Sequence, residues 1–368
     1  MLIAAPKTAL FYITNTCNLH CRHCGVSTGR NRVIKNKILP PSKIANIFKK
    51  LHEIGLEKVS LTGGEPFLRN DLLKILLYAK KSNIKIAINT NLTFLPDYFS
   101  ECIAENLIQE IALSIDGANS LTHDQIRGHG NFEKTLLNIE KIHEFSEKYG
   151  YGPKLSFTSV PNLLNYEDID GIIELAREKK VQQVQFEKIV YNGNAANNLH
   201  QLLLKEDMLL NTYSRILYHA KSAKDISITA NGITNIFIEY YNLKFNANIP
   251  YTYFSCTSPH SYIYISYDGT LLPCAAMSEQ YGHEKINSKI KKMLNLCEHD
   301  FAKIISTNFF STFIKRKLDI SVLKTQSPCY SCKFLGNYCM PCISNIISGK
   351  SLKFDLCESS SRALALMK

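Results

Sequence analysis

The chain has 368 residues, of which 45% are hydrophobic and 20% charged, with 17 glycines and 12 prolines, a composition that excludes disordered and collagen-like classes. No apolar run reaches the ~20 residues of a membrane helix. The start lacks the basic, apolar and small-residue succession of a secretory signal, so a cytoplasmic location is expected. The formal net charge is +11, and residues 1–50 carry no Asp or Glu. Such a surplus suits a nucleic-acid surface, a solvated lysine-rich face, or cations that offset anionic thiolate clusters. No RNA-binding motif accompanies it, and nucleic acid is not an expected partner.

From Thr8 to about Gly193, short β-branched runs alternate with amphipathic stretches. Strands are expected at Thr8–Thr14, Lys58–Thr62, Lys85–Asn89, Glu110–Ile115, Lys154–Val160 and Val184–Ile189. Helical patterns lie between them at Ser42–Ile54, Leu72–Ser82, Pro96–Glu105, Phe132–Tyr149 and Tyr166–Lys180. Ser42 follows two prolines and precedes the rhythm Ile44, Ile47, Phe48, Leu51, so it reads as an N-cap. This alternation implies a parallel α/β sheet, open or closed into a partial barrel, with its chemistry at the C-terminal strand ends. Residues 196–255 read as a helical connection, with a periodic Leu199–His219 and a turn-like Asn246–Pro250. Beyond it, Tyr262–Leu272 alternates around Asp268-Gly269 as a hairpin, and cysteines then recur to Cys357. The boundaries expected are therefore 1–195, 196–255 and 256–368.

Twelve cysteines are the unusual count. In a long chain without a secretory signal, CxxC clustering points to metal rather than disulfides. Cys17-x3-Cys21-x2-Cys24 falls directly after the first strand. Three thiolates so placed suit three irons of a cubane and leave a fourth open for substrate. A zinc site short of one ligand, with His20 and His23 nearby, or buried core thiols are the alternatives on spacing alone.

The segment Cys17-Asn-Leu-His-Cys-Arg-His-Cys24 resembles the CxxxCxΦC signature of the radical S-adenosylmethionine (SAM) superfamily, with His23 at the aromatic position. That resemblance implies a partial (β/α)6 TIM-like barrel. It also implies a [4Fe–4S] cluster whose open iron binds SAM, and reductive cleavage of SAM to a 5′-deoxyadenosyl radical that abstracts a substrate hydrogen. Three further motifs lie at expected strand ends. Gly63-Gly64-Glu65 resembles the family motif that holds the SAM amino group, the paired glycines permitting close backbone approach. Thr90-Asn91 resembles the polar step near the ribose. Ser114-Ile-Asp116, followed by Arg127, resembles the group that engages the SAM carboxylate and ribose, a guanidinium suiting a carboxylate by its bidentate geometry. The resemblance spans roughly residues 8–193.

The tail holds Cys256, Cys274, Cys329, Cys332, Cys339, Cys342 and Cys357, more than one zinc requires. Their order is similar to the SPASM domain, an extension of certain radical SAM enzymes that binds auxiliary [4Fe–4S] clusters and contributes a β-hairpin with helices and loops. It departs in the four-cysteine block, where x6 then x2 replaces the commoner x5 then x3, and this leaves Cys339 the least secured ligand. The likeness implies Cys329, Cys332, Cys339 and Cys357 on one cluster and Cys256, Cys274 and Cys342 on the other, with His260 a candidate further ligand. Three clusters in all are expected. Cys102 and Cys297 fall outside the pattern and read as core thiols.

SPASM-type relatives mostly modify ribosomally made peptides, by cross-link, thioether or oxidation. A peptide maturase is therefore the leading expectation, with a low-potential reductant such as a flavodoxin or ferredoxin. Sulfatase maturation is set aside, because Gly25-Val26 and Ala275 replace the usual Phe-Tyr and Asp. Only sixteen residues precede Cys17, so a separate leader-recognition protein, or direct docking on Arg30, Arg32, Lys35 and Lys37, is expected. The alternatives are the same chemistry on a small metabolite (aminoglycoside-type dehydrogenation, epimerisation or tetrapyrrole side-chain modification) and a zinc-dependent binding protein. No general base is named; the tyrosines Tyr251, Tyr253, Tyr262 and Tyr264 read as sheet packing.

Overall fold

The computed structural model describes residues 6–26, 38–190, 192–252, 254–255, 258–259, 261–274, 288–318, 332–335, 339–340 and 356–367. Seven strands run in parallel along the first two-thirds of the chain: β1 (Thr8–Thr14), β2 (Lys58–Gly63), β3 (Lys85–Thr90), β4 (Glu110–Ser114), β5 (Lys154–Ser159), β6 (Gln183–Phe186) and β7 (Ser227–Ala230). Later come β8 (Phe254–Ser255), β9 (Tyr262–Ile265), β10 (Leu271–Leu272) and β11 (Cys339–Met340). The main sheet has nine strands in the order β10-β9-β1-β2-β3-β4-β5-β6-β7, a barrel that stays partial.

The six expected strands form. A seventh, β7, lies within 196–255, which is therefore not helical throughout. Its four residues, Ser-Ile-Thr-Ala, are too few for the alternation to register in sequence. The hairpin β9–β10 also forms, but it belongs to the barrel's own sheet. β9 runs parallel to β1, placing Tyr262 beside Thr8 and Tyr264 beside Leu10. The cysteine-rich tail is thus joined to the barrel through backbone hydrogen bonds on the β1 edge.

Strand alternation decides which side chains reach the core and which line the barrel. Phe11 and Ile13 of β1, Leu61 of β2, Ile111 of β4, Phe157 of β5, Val184 and Phe186 of β6, and Ile263 and Ile265 of β9 are buried in one cluster with helix residues such as Ile44, Phe48, Ile75 and Ile172. Their neighbours Thr62, Ser114, Thr158, Gln185 and Tyr264 therefore point to the opposite, inner face. That face carries polar side chains, a surface made to be wet or to hold a ligand. A second, smaller core joins helices Glu206–Ser222 and Asn235–Phe245 to the final helix Leu356–Met367 through Tyr213, Leu217, Phe237, Tyr241 and Leu364.

The first helix runs Pro41–Glu53 with Pro40 as N-cap and no side-chain cap. Ser42 is consequently inside the first turn and not the cap, because Pro41 already has the fixed φ of a first helical residue. Ser42→Ala should leave stability within about 0.5 kcal/mol of the parent, whereas loss of a true cap costs about 1 kcal/mol; a urea melt distinguishes the two.

Candidate active site at the C-terminal rim of the barrel

The loop after β1 carries Cys17, Cys21 and Cys24, of which Cys21 is buried and the other two half-buried. Neighbouring elements fix this loop at nearly every residue. Gly64 N–H donates to the Thr14 carbonyl at 2.9 Å and Glu65 N–H to the Thr16 carbonyl at 2.8 Å, so the backbone after β2 continues the sheet beside the cysteine loop. A Cβ on Gly63 would stand 2.0 Å from the Thr14 carbonyl oxygen, and one on Gly64 2.0 Å from that of Thr16. The paired glycines thus admit the cysteine loop itself; this is where their close backbone approach is made.

On the far side, Arg22 N–H donates to the Ile126 carbonyl at 2.9 Å. Beyond β6, Asn194 Nδ2 donates to the Cys21 carbonyl and Asn198 Nδ2 to the Arg22 carbonyl, each at 3.2 Å, while Ala195 N–H reaches the Cys24 carbonyl at 3.2 Å. Arg69, buried, clamps the end of β1 by donating to the Ile13 carbonyl at 2.6 Å and the Leu39 carbonyl at 2.7 Å. Sequence reasoning missed Arg69, Asn194 and Asn198. The run of asparagines from Asn192 to Asn198 was the one available signal for the latter two, since asparagine amides commonly satisfy loop backbone.

Glu65 is 1% exposed. Its carboxylate accepts from Thr90 Oγ1 at 2.7 Å, Asn91 N–H at 2.7 Å and Phe67 N–H at 3.1 Å. Burial pushes its pKa up to about 7 despite these donors, because neutral hydrogen bonds do not fully replace water around a charge. Asn91 in turn reaches Cys17 Sγ with its amide at 3.7 Å and Asn18 Oδ1 at 3.0 Å. Glu65, Thr90, Asn91 and Cys17 form one connected group, assembled from three successive strand ends.

A second group sits behind Cys21. The carboxylate of Asp116, 0% exposed, accepts from Arg127 Nε at 2.6 Å, His23 Nε2 at 2.9 Å and Val160 N–H at 2.8 Å. Burial alone would raise the Asp116 pKa, but the charges of Arg127 and His23 overrule it and hold the carboxyl well below the usual range. Arg127 points its Nη1 at Cys21 Sγ, 3.9 Å away. Asp116 is thus paired with Arg127 and His23, and Arg127 also faces a cysteine. With Nε2–H turned to Asp116, His23 Nδ1 is buried without a hydrogen-bond partner among the described residues. Ser114 ends β4 half-exposed on the inner face.

These residues suit an iron–sulfur cluster. Burial pushes the Cys21 thiol up to about 12, with Cys24 and Cys17 adding to the shift and Arg127 opposing it, so a metal must displace the proton on binding. Among the described residues no three His, Cys, Asp or Glu side chains converge on a single ion; three thiolates on one loop are the donors of a cubane that takes one thiolate per iron. The amide and guanidinium donors near Cys17 and Cys21 are the hydrogen bonds that tune such clusters. Glu65, a buried carboxylate with three neutral donors, is chemically fitted to receive an ammonium.

In the tail, β11 pairs with β8, setting Cys339 opposite Phe254 and Met340 opposite Ser255, adjacent in sequence to Cys256. Cys332 lies in a segment held by Lys333 to Glu239 at 2.8 Å and by Phe334 packed edge-on to Tyr251. The Cys357 thiol meets Thr234 Oγ1 at 3.2 Å. Helix Asn235–Phe245 thus gathers the Cys332 and Cys357 segments. Cys256, Cys329, Cys342, His260, Tyr253 and the basic residues Arg30, Arg32, Lys35 and Lys37 lie outside the described residues. Cys102 is buried in the core, and Cys297 packs half-buried against it.

A pH experiment follows from Glu65. Its folded pKa lies above the ordinary value of 4.5, so its stabilisation is complete below about pH 4.5 and is lost as pH rises through 7. That loss is on the order of 3 kcal/mol in the protein without cofactors. Urea melts of the apoprotein and of Glu65→Gln should diverge in slope between pH 4.5 and 7, with the parent alone losing stability through this window.

The family model described as the Radical SAM superfamily matches residues 11–176, and the SPASM iron–sulfur cluster-binding domain matches residues 256–333. An AdoMet-dependent heme synthase of Methanosarcina barkeri is 32% identical over 176 residues, 47% of this chain and 48% of that protein. A GTP 3′,8-cyclase of Alkaliphilus oremlandii is 31% identical over 187 residues, 50% of this chain and 56% of that one. The chain thus spans about half the length of these curated relatives. Among solved structures, Streptococcus suis SuiB bound to precursor peptide SuiA superposes with a TM-score of 0.71 at 18% identity, over 97% of this chain and 76% of that one. Native anSMEcpe with bound AdoMet gives 0.66 at 19% identity, over 97% and 95%.

Proposed function

This chain is a radical SAM enzyme with a SPASM domain, and from that premise we propose that it modifies a ribosomally made peptide. When bound, the cluster and SAM supply a 5′-deoxyadenosyl radical for hydrogen abstraction. The chain's own residues do the rest. Cys17, Cys21 and Cys24 would hold the cluster in a loop fixed by Gly64, Arg22, Asn194 and Asn198. Glu65, with Thr90 and Asn91, would receive the SAM ammonium. Arg127, oriented by Asp116, would place a positive charge against the Cys21 thiolate, and Ser114 faces the barrel where the substrate enters. Cys256, Cys274 and Cys342, and Cys329, Cys332, Cys339 and Cys357, would carry two auxiliary clusters.

The observation that carries the radical reading is the clamped cysteine loop with the Asp116–Arg127–His23 group behind Cys21. The fold shared with SuiB over nearly the whole chain supports a peptide as substrate. A second reading, tetrapyrrole side-chain chemistry, is favoured by the 32% identity to the heme synthase. Anaerobic reconstitution should give about twelve irons with matching sulfide, four per cluster. Incubation with SAM and a low-potential reductant should release 5′-deoxyadenosine; zinc without iron overturns the enzyme reading. Coexpression with short open reading frames beside the gene, followed by mass spectrometry, should show a mass change in one peptide. A mass change in a coproporphyrin instead would establish the second reading.

A further inference from the structure

We propose that Glu187 is a specificity-determining residue of the barrel, the anchor for a cationic nitrogen of the substrate, an ammonium or a guanidinium. The proposal rests on the reading of the C-terminal rim as the substrate site. Glu187 directly follows β6, and its N–H donates to the Ser159 carbonyl at 2.7 Å, which holds it at the same rim as Glu65, Asn91 and Asp116. Val184 and Phe186 are fully buried in the main core, so alternation turns Gln185 and Glu187 to the inner face. Lys188 turns the other way, towards Tyr213 and Gly232 under the outer helices.

The carboxylate is held, but only by neutral groups. Asn231 Nδ2, just past β7, donates to one oxygen at 2.6 Å, and Gln185 Nε2 donates to the other. Among the described residues no cation pairs with Glu187. Burial raises its pKa despite the two amides. A half-buried carboxylate loses part of its hydration and is costly unless it is paired, and the fully buried acidic groups at this rim are accounted for: Asp116 has Arg127 and His23, and Glu65 faces the proposed SAM ammonium. Two amides occupy one lone pair on each oxygen of Glu187 and leave the others open. A substrate cation completes the pair. Since the amides already fix the carboxylate, little further ordering is needed on binding.

The test is equilibrium binding to the reconstituted protein by calorimetry, with Nα-acetyl-lysine N-methylamide and its uncharged isostere, the N-methylamide of Nα-acetyl-2-aminoheptanoic acid, as probes. The wild type should favour the lysine amide by about tenfold, the ratio expected of one charge-assisted contact. Glu187→Gln should abolish the preference, and Glu187→Asp, which keeps the charge on a shorter arm, should retain part of it. Circular dichroism checks that each variant is folded, and the Asp variant carries the test if the Gln variant is not. Equal binding of the two probes to wild type, or a lysine preference that survives in Glu187→Gln, overturns the proposal. Release of 5′-deoxyadenosine by the same preparation separates the outcomes: its absence in wild type counts against the radical reading, while its presence without probe discrimination counts against Glu187 alone.

Discussion

Asp116→Asn will destabilise the protein by about 3–5 kcal/mol, the cost of leaving a buried cation without its counter-charge. The carboxylate is fully buried and meets Arg127 Nε at 2.6 Å; the asparagine amide supplies one acceptor but no charge. Arg127 also loses the restraint that aims it at Cys21, and His23 loses the acceptor of its Nε2–H. Replacing both members, as in Asp116→Asn with Arg127→Leu, should recover part of the loss, because no buried charge is then stranded. A double-mutant cycle from urea melts measures the coupling directly, and additive single effects would show that the pair is not the source. Acid unfolding gives a second readout. The depressed pKa of Asp116 contributes stability that is present above its unfolded value near 3.8 and fades as pH falls below it. The Asn variant should lack that component of the acid transition.

Gly64→Ala will remove the cluster while leaving most of the fold intact. A Cβ there would lie 2.0 Å from the Thr16 carbonyl oxygen and 3.0 Å from the Cys17 nitrogen, so the backbone of the cysteine loop must shift. Overpacking against backbone costs about 1–3 kcal/mol, which a barrel with this core can survive. The expected result is a native-like far-UV spectrum with iron content lowered by about one cluster, the auxiliary sites still filled, and no 5′-deoxyadenosine. Full iron loading with normal SAM cleavage would show that the glycine contact does not govern the loop.

Both variants concern contacts between segments that are distant in the chain, and there the sequence was least informative. The cysteine triplet, the Gly-Gly-Glu step, Thr90-Asn91 and the Ser114–Arg127 stretch were legible as motifs, since each is short and placed at the end of a strand whose hydrophobic rhythm is plain. What each side chain touches was not. Gly64 could be assigned close backbone approach, yet its partner, Thr16, lies 48 residues earlier. Arg127 was legible as a guanidinium near the site, but its orientation depends on a carboxylate set by β4 and on the loop carrying His23. Ser42 shows the opposite failure: local sequence offered a cap, and the neighbouring prolines had already begun the helix.

The sequence by itself determined the strand–helix alternation, the placement of the three cysteines at a strand end and the cysteine order of the tail, because periodicity and spacing are local properties that a linear chain carries openly. Only the tertiary structure decided that β7 and the tail hairpin extend the barrel, that the glycines admit the cysteine loop, that Asp116 is spent on Arg127 and His23, and that Glu187 stands on the inner face with no cation beside it among the described residues. These depend on which strands lie side by side and on which face a side chain emerges. That outcome follows from burying Phe11, Phe157, Phe186 and their neighbours in a single core, a cooperative packing that no short segment encodes alone.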